Sequence, residues 1–123
     1  MKRLLIVEDE AALRDVYAIL FKMQNYDVHE AVNGKEAIKL METLRPDVII
    51  LDALMPVMGG IEFLETIKIK ENYPDTRVLF LTNLSDQKTV TQSKKMGAHK
   101  YLLKASVSPK ELITAVGELV DSE

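Results

Sequence analysis

Three carboxylates and one ammonium stand where apolar runs stop. The run from Leu4 to Val7 ends in Glu8 and Asp9, the run from Val48 to Leu51 ends in Asp52, and Tyr101 to Leu103 ends in Lys104. If these runs are parallel neighbouring strands, the four groups converge at the carboxyl edge of one sheet, where open α/β sheets place their ligands. The set suits chemistry on an oxyanion assisted by a hard cation.

Carboxylates within a few ångströms of one another repel, and their proton affinities rise unless a cation joins them. Mg²⁺ fits: it takes oxygen ligands in octahedral geometry, keeps several waters and commonly links one or two carboxylates to a substrate phosphate. Mn²⁺ shares the oxygen preference and is an expected substitute. Phosphoryl transfer asks a protein mainly for positioning and for neutralisation of charge on the equatorial oxygens. Lys104 can supply a mobile cation, Thr82 at the end of another apolar run a hydroxyl donor, and the amides after Asp52 further donors. The product would be an aspartyl phosphate. Each group alone has a plainer reading. Acid pairs at strand ends are usually solvated, a terminal lysine is usually a surface charge, and a threonine there usually caps local backbone. Their joint occurrence at the ends of four strands favours a site.

The elements that must position these groups follow from periodicity. Strands are predicted at Arg3 to Val7, Asp27 to Ala31, Asp47 to Leu51, Arg77 to Leu81 and Lys100 to Leu103. Between them Leu13, Val16, Tyr17, Leu20 and Phe21 recur at helical spacing, as do Ala37, Ile38, Leu40 and Met41, then Ile61, Leu64, Ile67 and Lys68. Asn33 is placed to cap the second helix, Gly97 to end the fourth, and Ser108 before Pro109 to start a fifth with Leu112, Ile113, Val116, Leu119 and Val120 on one stripe. The fourth helical segment, Asp86 to Met96, offers only Val90 and Met96 as large apolar residues and is expected to be weakly anchored. Five repeated βα units imply a doubly wound parallel sheet.

A chain of 123 residues suits one domain spanning 1–123, and no linker or repeat divides it. Sixteen basic against nineteen acidic residues, net −3, argue against direct nucleic-acid binding. Cysteine is absent, which excludes disulfides and thiolate metal sites and suits a reducing compartment. The opening Met1 to Val7 meets Glu8, Asp9 and Glu10 too soon for a signal peptide, and no apolar run approaches the roughly 20 residues of a membrane helix. The expectation is a soluble cytoplasmic protein without membrane contact.

Over its whole length and in motif order the chain resembles the receiver domain of two-component response regulators. The residues that carry the likeness are Glu8-Asp9, Asp52 through Met55-Pro56 and Gly59, Thr82, Tyr101 and Lys104. The resemblance implies a flavodoxin-like five-stranded sheet of order 2-1-3-4-5, with Asp52 as acceptor of phosphate from a histidine kinase or histidine phosphotransfer protein. It implies Mg²⁺ held by Glu8, Asp9, Asp52 and the carbonyl of Leu54. Thr82 and Tyr101 would form a switch: the hydroxyl moves toward the phosphate and the aromatic ring turns inward, altering the surface of the fourth helix, fifth strand and fifth helix. Self-phosphorylation from small donors and autodephosphorylation are expected, rather than enzymatic turnover of a substrate. Phosphodonors would dock near Ala12, Asp15, Ile19 and Ser106.

The chain departs from the family pattern in three places. Ala105 follows Lys104 where the family usually has proline after a cis bond, and a non-proline cis bond costs ~2.5–4 kcal/mol. The bond is then either trans, with Lys104 placed differently, or cis under strain. Asn83 stands where Ala or Gly is common, which narrows access to the acceptor. Leu54 and Leu84 are apolar and unable to orient an attacking water, so a persistent phosphorylated state is expected, an idea that a half-life of seconds would sink.

Two other readings compete. A haloacid-dehalogenase-like phosphatase also forms an aspartyl phosphate, but its motif needs an aspartate where Leu54 stands. A degenerate receiver acting as a phosphorylation-independent interaction module is disfavoured by the retained acids and lysine. The output partner is not specified, and both a monomer and a phosphorylation-dependent dimer remain open.

Overall fold

The computed structural model describes residues 1–83 and 87–121. Strands β1 (Arg3–Val7), β2 (Asp27–Ala31), β3 (Val48–Asp52), β4 (Arg77–Thr82) and β5 (Lys100–Leu103) alternate with helices α1 (Ala11–Met23), α2 (Gly34–Leu44), α3 (Gly60–Ile67), the short α4 (Ile69–Asn72), α5 (Gln87–Met96) and α6 (Pro109–Asp121). All strand pairs are parallel, in the order β2-β1-β3-β4-β5. The fourth and fifth predicted helices are thus α5 and α6. Among the described residues no helix is long and apolar enough to cross a membrane.

Alternation along the strands builds two cores. Leu5, Val7, Ile49, Leu51, Val78 and Phe80 face α2 and α3, whereas Leu4, Ile6, Val48, Ile50, Leu79 and Leu81 face α1 and α6. The central strands are apolar on both faces because helices cover both.

The caps lie where the sequence puts them. Glu36 N–H donates to Asn33 Oδ1 at 2.9 Å. Ser108 and Glu111 exchange side-chain and backbone hydrogen bonds, each 3.1 Å, in a capping box. Gly97 ends α5 with φ +115°, and a Cβ there would run into Ile69 Cγ2.

Two expectations need correction. Val16, assigned to the buried stripe of α1, is 54% exposed. The buried stripe is instead Tyr17, Ala18 and Phe21, and at about 100° per residue Val16 turns away from it. The third helix does not run through Lys68. Lys68 adopts a left-handed conformation, φ 48°, which ends α3 and redirects the chain so that Ile69 is buried. Asn72 Nδ2 then donates to the free carbonyl of Ile67 at 2.9 Å.

Candidate functional site

The chain leaves β1 outward to β2 and then crosses back to β3, so the winding reverses between β1 and β3. Such a reversal opens a crevice at the carboxyl edge. Glu8 continues the alternation of Leu4 and Ile6, Asp52 that of Val48 and Ile50, and Lys104 that of Leu102, so all three belong to the α1/α6 face. The register pairs Val7 with Leu51 and Asp52 with Leu81, which brings the strand exits level. Glu8 is fixed to the neighbouring edge by its N–H, 3.1 Å from the Ala31 carbonyl.

Lys104 Nζ lies 2.8 Å from Glu8 Oε1 and 3.0 Å from Asp52 Oδ2. Both acids are nearly inaccessible, Glu8 at 1% and Asp52 at 4% exposure, while Asp9 is partly open to solvent. Burial raises the pKa of Glu8 and of Asp52 above the usual carboxylate values, and their bonds to Lys104 work against that rise. Burial opposes the charge on Lys104, but Glu8 and Asp52 together overcome it and hold the ammonium above its ordinary value. Lys104 thus ties the two buried carboxylates into one cluster.

The surrounding backbone is specified as closely as the side chains. Lys104 N–H donates to the Thr82 carbonyl at 2.8 Å, and Ala53 N–H to the Leu81 carbonyl at 2.8 Å. A backbone hydrogen bond from Leu54 favours ionised Asp52, while the Leu54 side chain is exposed. Val57, φ +73°, is the centre of a three-residue turn closed by Met58 N–H to the Pro56 carbonyl at 2.8 Å. This γ form is rare and strained for a β-branched residue, and such strain gathers at functional loops. A Cβ on Gly60 would stand 2.6 Å from the Asp52 carbonyl and 2.8 Å from Phe80 Cε1, so only glycine admits this close approach beneath the acceptor strand.

Thr82 is buried at the end of β4, one residue beyond Leu81, the register partner of Asp52. Tyr101 lies apart: it is 37% exposed on β5, with Lys94 Nζ 6.0 Å from its ring centre. Ala12, Asp15, Ile19 and Ser106 are exposed, and the exposed Val16 adjoins Ile19 on α1. Asn83 is exposed, and Leu84 lies outside the described residues. The Lys104–Ala105 bond is trans, and Lys104 still reaches Asp52.

Two contributors have no clear signal in the sequence. Arg14 Nη1 donates to the Glu8 carbonyl at 2.8 Å while its Nε meets Glu30 Oε1 at 3.5 Å, tying the acidic loop to β2. Gly60 is one of two adjacent glycines with nothing to mark which is indispensable.

The comparisons with known proteins decide the family. Residues 4–117 match the family model of the response regulator receiver domain. The chain belongs to that family. It is 34% identical to the phosphate regulon transcriptional regulatory protein PhoB of Pseudomonas aeruginosa over 91% of this chain and 48% of the relative. It is 36% identical to the transcriptional regulatory protein YdfI of Bacillus subtilis over 88% and 50%. The receiver domain thus spans about half the length of these curated relatives. Among solved structures it is similar to the chemotaxis protein CheY4 of Vibrio cholerae, with a TM-score of 0.89 and 30% identity over 97% of this chain and 98% of that one. A CheY-like receiver domain from Methanospirillum hungatei superposes with a TM-score of 0.92 at 26% identity, covering 99% and 95%.

Ligand atoms of Glu8, Asp9 and Asp52 lie within 4.8 Å of one another, an all-oxygen set of the kind Mg²⁺ prefers. Lys104 neutralises one of the three charges and leaves two for a divalent cation. Glu8 Oε1 is buried, with the Lys104 ammonium 2.8 Å away. The all-oxygen donor set fits a bound Mg²⁺.

Proposed function

We propose that Asp52 accepts a phosphoryl group from a histidine kinase or histidine phosphotransfer protein, and that the modified site alters the α5–β5–α6 surface read by an output partner. The observation that carries this reading is the ammonium of Lys104 held between two buried carboxylates at the winding reversal. An oxygen of Asp52 attacks phosphorus as the N–P bond of the phosphohistidine breaks, and the imidazole nitrogen leaves with the bonding pair. Lys104 keeps the nucleophile ionised before transfer and follows charge onto the phosphoryl oxygens after it. Burial makes the ionised Asp52 more basic than a solvated carboxylate, which favours attack. A Mg²⁺ ion held by Glu8, Asp9, Asp52 and the Leu54 carbonyl, or Mn²⁺ in its place, would neutralise the charge that gathers between acceptor and donor.

Thr82 is the hydroxyl that follows the phosphoryl group, and the outward Tyr101 is the side chain able to move inward in response. The exposed α1 residues Ala12, Asp15 and Ile19, with Ser106, form the face for the phosphodonor. The test is intact mass after incubation with Mg²⁺ and acetyl phosphate, beside Asp52→Asn and a metal-chelated sample. One phosphoryl adduct confined to the wild type with metal is expected. Absence of an adduct from a folded chain that also fails to bind beryllofluoride would overturn the reading in favour of a phosphorylation-independent interaction module.

A further inference from the structure

Alternation along the edge strand β5 puts Leu102 on the α1/α6 face and turns Tyr101 to the other side of the sheet. The register pairs Tyr101 with Phe80 and Leu103 with Thr82, so Tyr101 and the buried Thr82 share that face, one two-residue step apart on neighbouring strands. The outward ring is met by α5: Lys94 Nζ lies 6.0 Å from its centre, at the reach of a cation–π contact. Among the described residues the Tyr101 hydroxyl has no hydrogen bond and the Lys94 ammonium no ion pair, so the ring contact is the specific side-chain interaction of both. Lys95 turns about 100° further round the helix and lines a cleft against α3 with Leu64 and Ile69. The two lysines carry the same charge in the last turn of α5, where both complement the negative helix end. That shared role does not account for the place of Lys94 at the ring.

Helix α5 is lightly held. Val90 and Ser93 are buried, but the Ser93 hydroxyl is spent inside the helix on the Val90 carbonyl at 2.8 Å. A contact of modest strength between α5 and β5 therefore matters. We propose that Lys94 is a latch: its ammonium holds Tyr101 outward in the resting protein, and the inward turn of the ring releases Lys94 and with it α5. This rests on the reading of Asp52 as phosphoacceptor and of Tyr101 as the side chain that responds. An exposed cation–π contact favours the outward over the inward setting by about two- to fivefold, which biases the resting population without locking it. Removing the latch shifts the population toward the setting that a loaded site favours, and so tightens binding of a phosphoryl mimic. Simple electrostatics has the opposite sign, since deleting a positive charge weakens the hold on an anion.

The experiment titrates beryllofluoride at saturating Mg²⁺ into wild type, Lys94→Met, Lys94→Arg and Lys95→Met, with binding followed by fluorine NMR and folding checked by circular dichroism. Lys94→Met should bind about two- to fivefold more tightly than wild type. Lys94→Arg keeps the cation and should match wild type, and Lys95→Met, which loses the same charge, should be no tighter than wild type. In a Tyr101→Leu background the gain from Lys94→Met should shrink to about onefold. In the resting protein the nuclear Overhauser contact between the Tyr101 ring and the Thr82 methyl should grow in Lys94→Met and not in Lys95→Met. Equal or weaker affinity in Lys94→Met, an equal gain in Lys95→Met, or a gain that survives Tyr101→Leu would each overturn the proposal. Failure of the wild type itself to bind beryllofluoride would overturn the acceptor reading, while the resting contact between Tyr101 and Thr82 would still decide the latch.

Discussion

Replacing Lys104 by methionine removes the ammonium that, among the described ion pairs, lies within 4 Å of the Glu8 and Asp52 carboxylates, while keeping most of the stem's volume. The side chains of Glu8 and Asp52 are 1% and 5% exposed, so water cannot replace the ammonium. Breaking a buried ion pair by deleting one partner typically costs about 3–5 kcal/mol, because an uncompensated charge stays behind. The lower end applies here, since the loss is shared between two carboxylates, either of which can take up a proton. A loss of about 3 kcal/mol over 123 residues corresponds to roughly 12 °C in melting temperature, at an unfolding entropy of about 2.1 cal/mol/K per residue.

Two further signatures separate this cause from simple loss of packing. Glu8 and Asp52 already have raised pKa values, and losing Lys104 raises them further. A carboxylate whose folded pKa exceeds its unfolded value stabilises the fold at low pH and loses that contribution as pH rises through the folded pKa. The Lys104→Met deficit should therefore be larger at pH 7.5 than at pH 5. Mg²⁺ should also stabilise the variant more than the wild type, because the emptied cluster is more negative. At a free concentration 100 times the dissociation constant, binding is worth about 2.7 kcal/mol. Urea unfolding at both pH values, with and without Mg²⁺, measures all three quantities. A variant as stable as wild type in chelator at pH 7.5, or a deficit insensitive to both pH and metal, would refute the electrostatic account.

Gly60→Ala should destabilise the chain by about 1–3 kcal/mol in urea unfolding, because its Cβ would meet the Asp52 carbonyl and the Phe80 ring at 2.6 and 2.8 Å; an unchanged midpoint would show that the loop relaxes freely. His99 accepts from Val78 N–H through Nδ1 at 3.0 Å and lies 3.4 Å from Arg77 Nη1. Burial, then Arg77 and Lys70, lower its pKa below 6.5. Its contribution to stability is therefore complete above about pH 6.5 and is lost as pH falls toward the lowered folded value. The ring should titrate below 6.5 by NMR, and His99→Gln should lose less stability than wild type between pH 7.5 and 5.5; a midpoint above 6.5 would contradict the geometry.

Much of this architecture is written locally. Strand and helix periods are set by which residues must leave water together, so β1, β2 and β5 have the predicted limits and Asn33, Gly97 and Ser108 mark helix ends by their own backbone chemistry. The acids and the lysine were legible because a charge directly after an apolar run marks a strand exit. Their convergence is a different matter. Lys104 and Asp52 are 52 residues apart in the chain, and only the order β2-β1-β3-β4-β5 and its register bring them to 3.0 Å. Tertiary packing also decided which part of α1 is buried. Tyr17, Ala18 and Phe21 turn inward and Val16 outward, although periodicity alone admits Val16 to the stripe. The break at Lys68 follows from the need to bury Ile69, which no local propensity announces. The sequence by itself determined the five strands to within a residue, the five longer helices though not the short α4, and the chemical character of the strand ends, since those depend on neighbours along the chain. Distances, burial of charge and the close approach at Gly60 were decided by the tertiary structure, because they depend on neighbours across it.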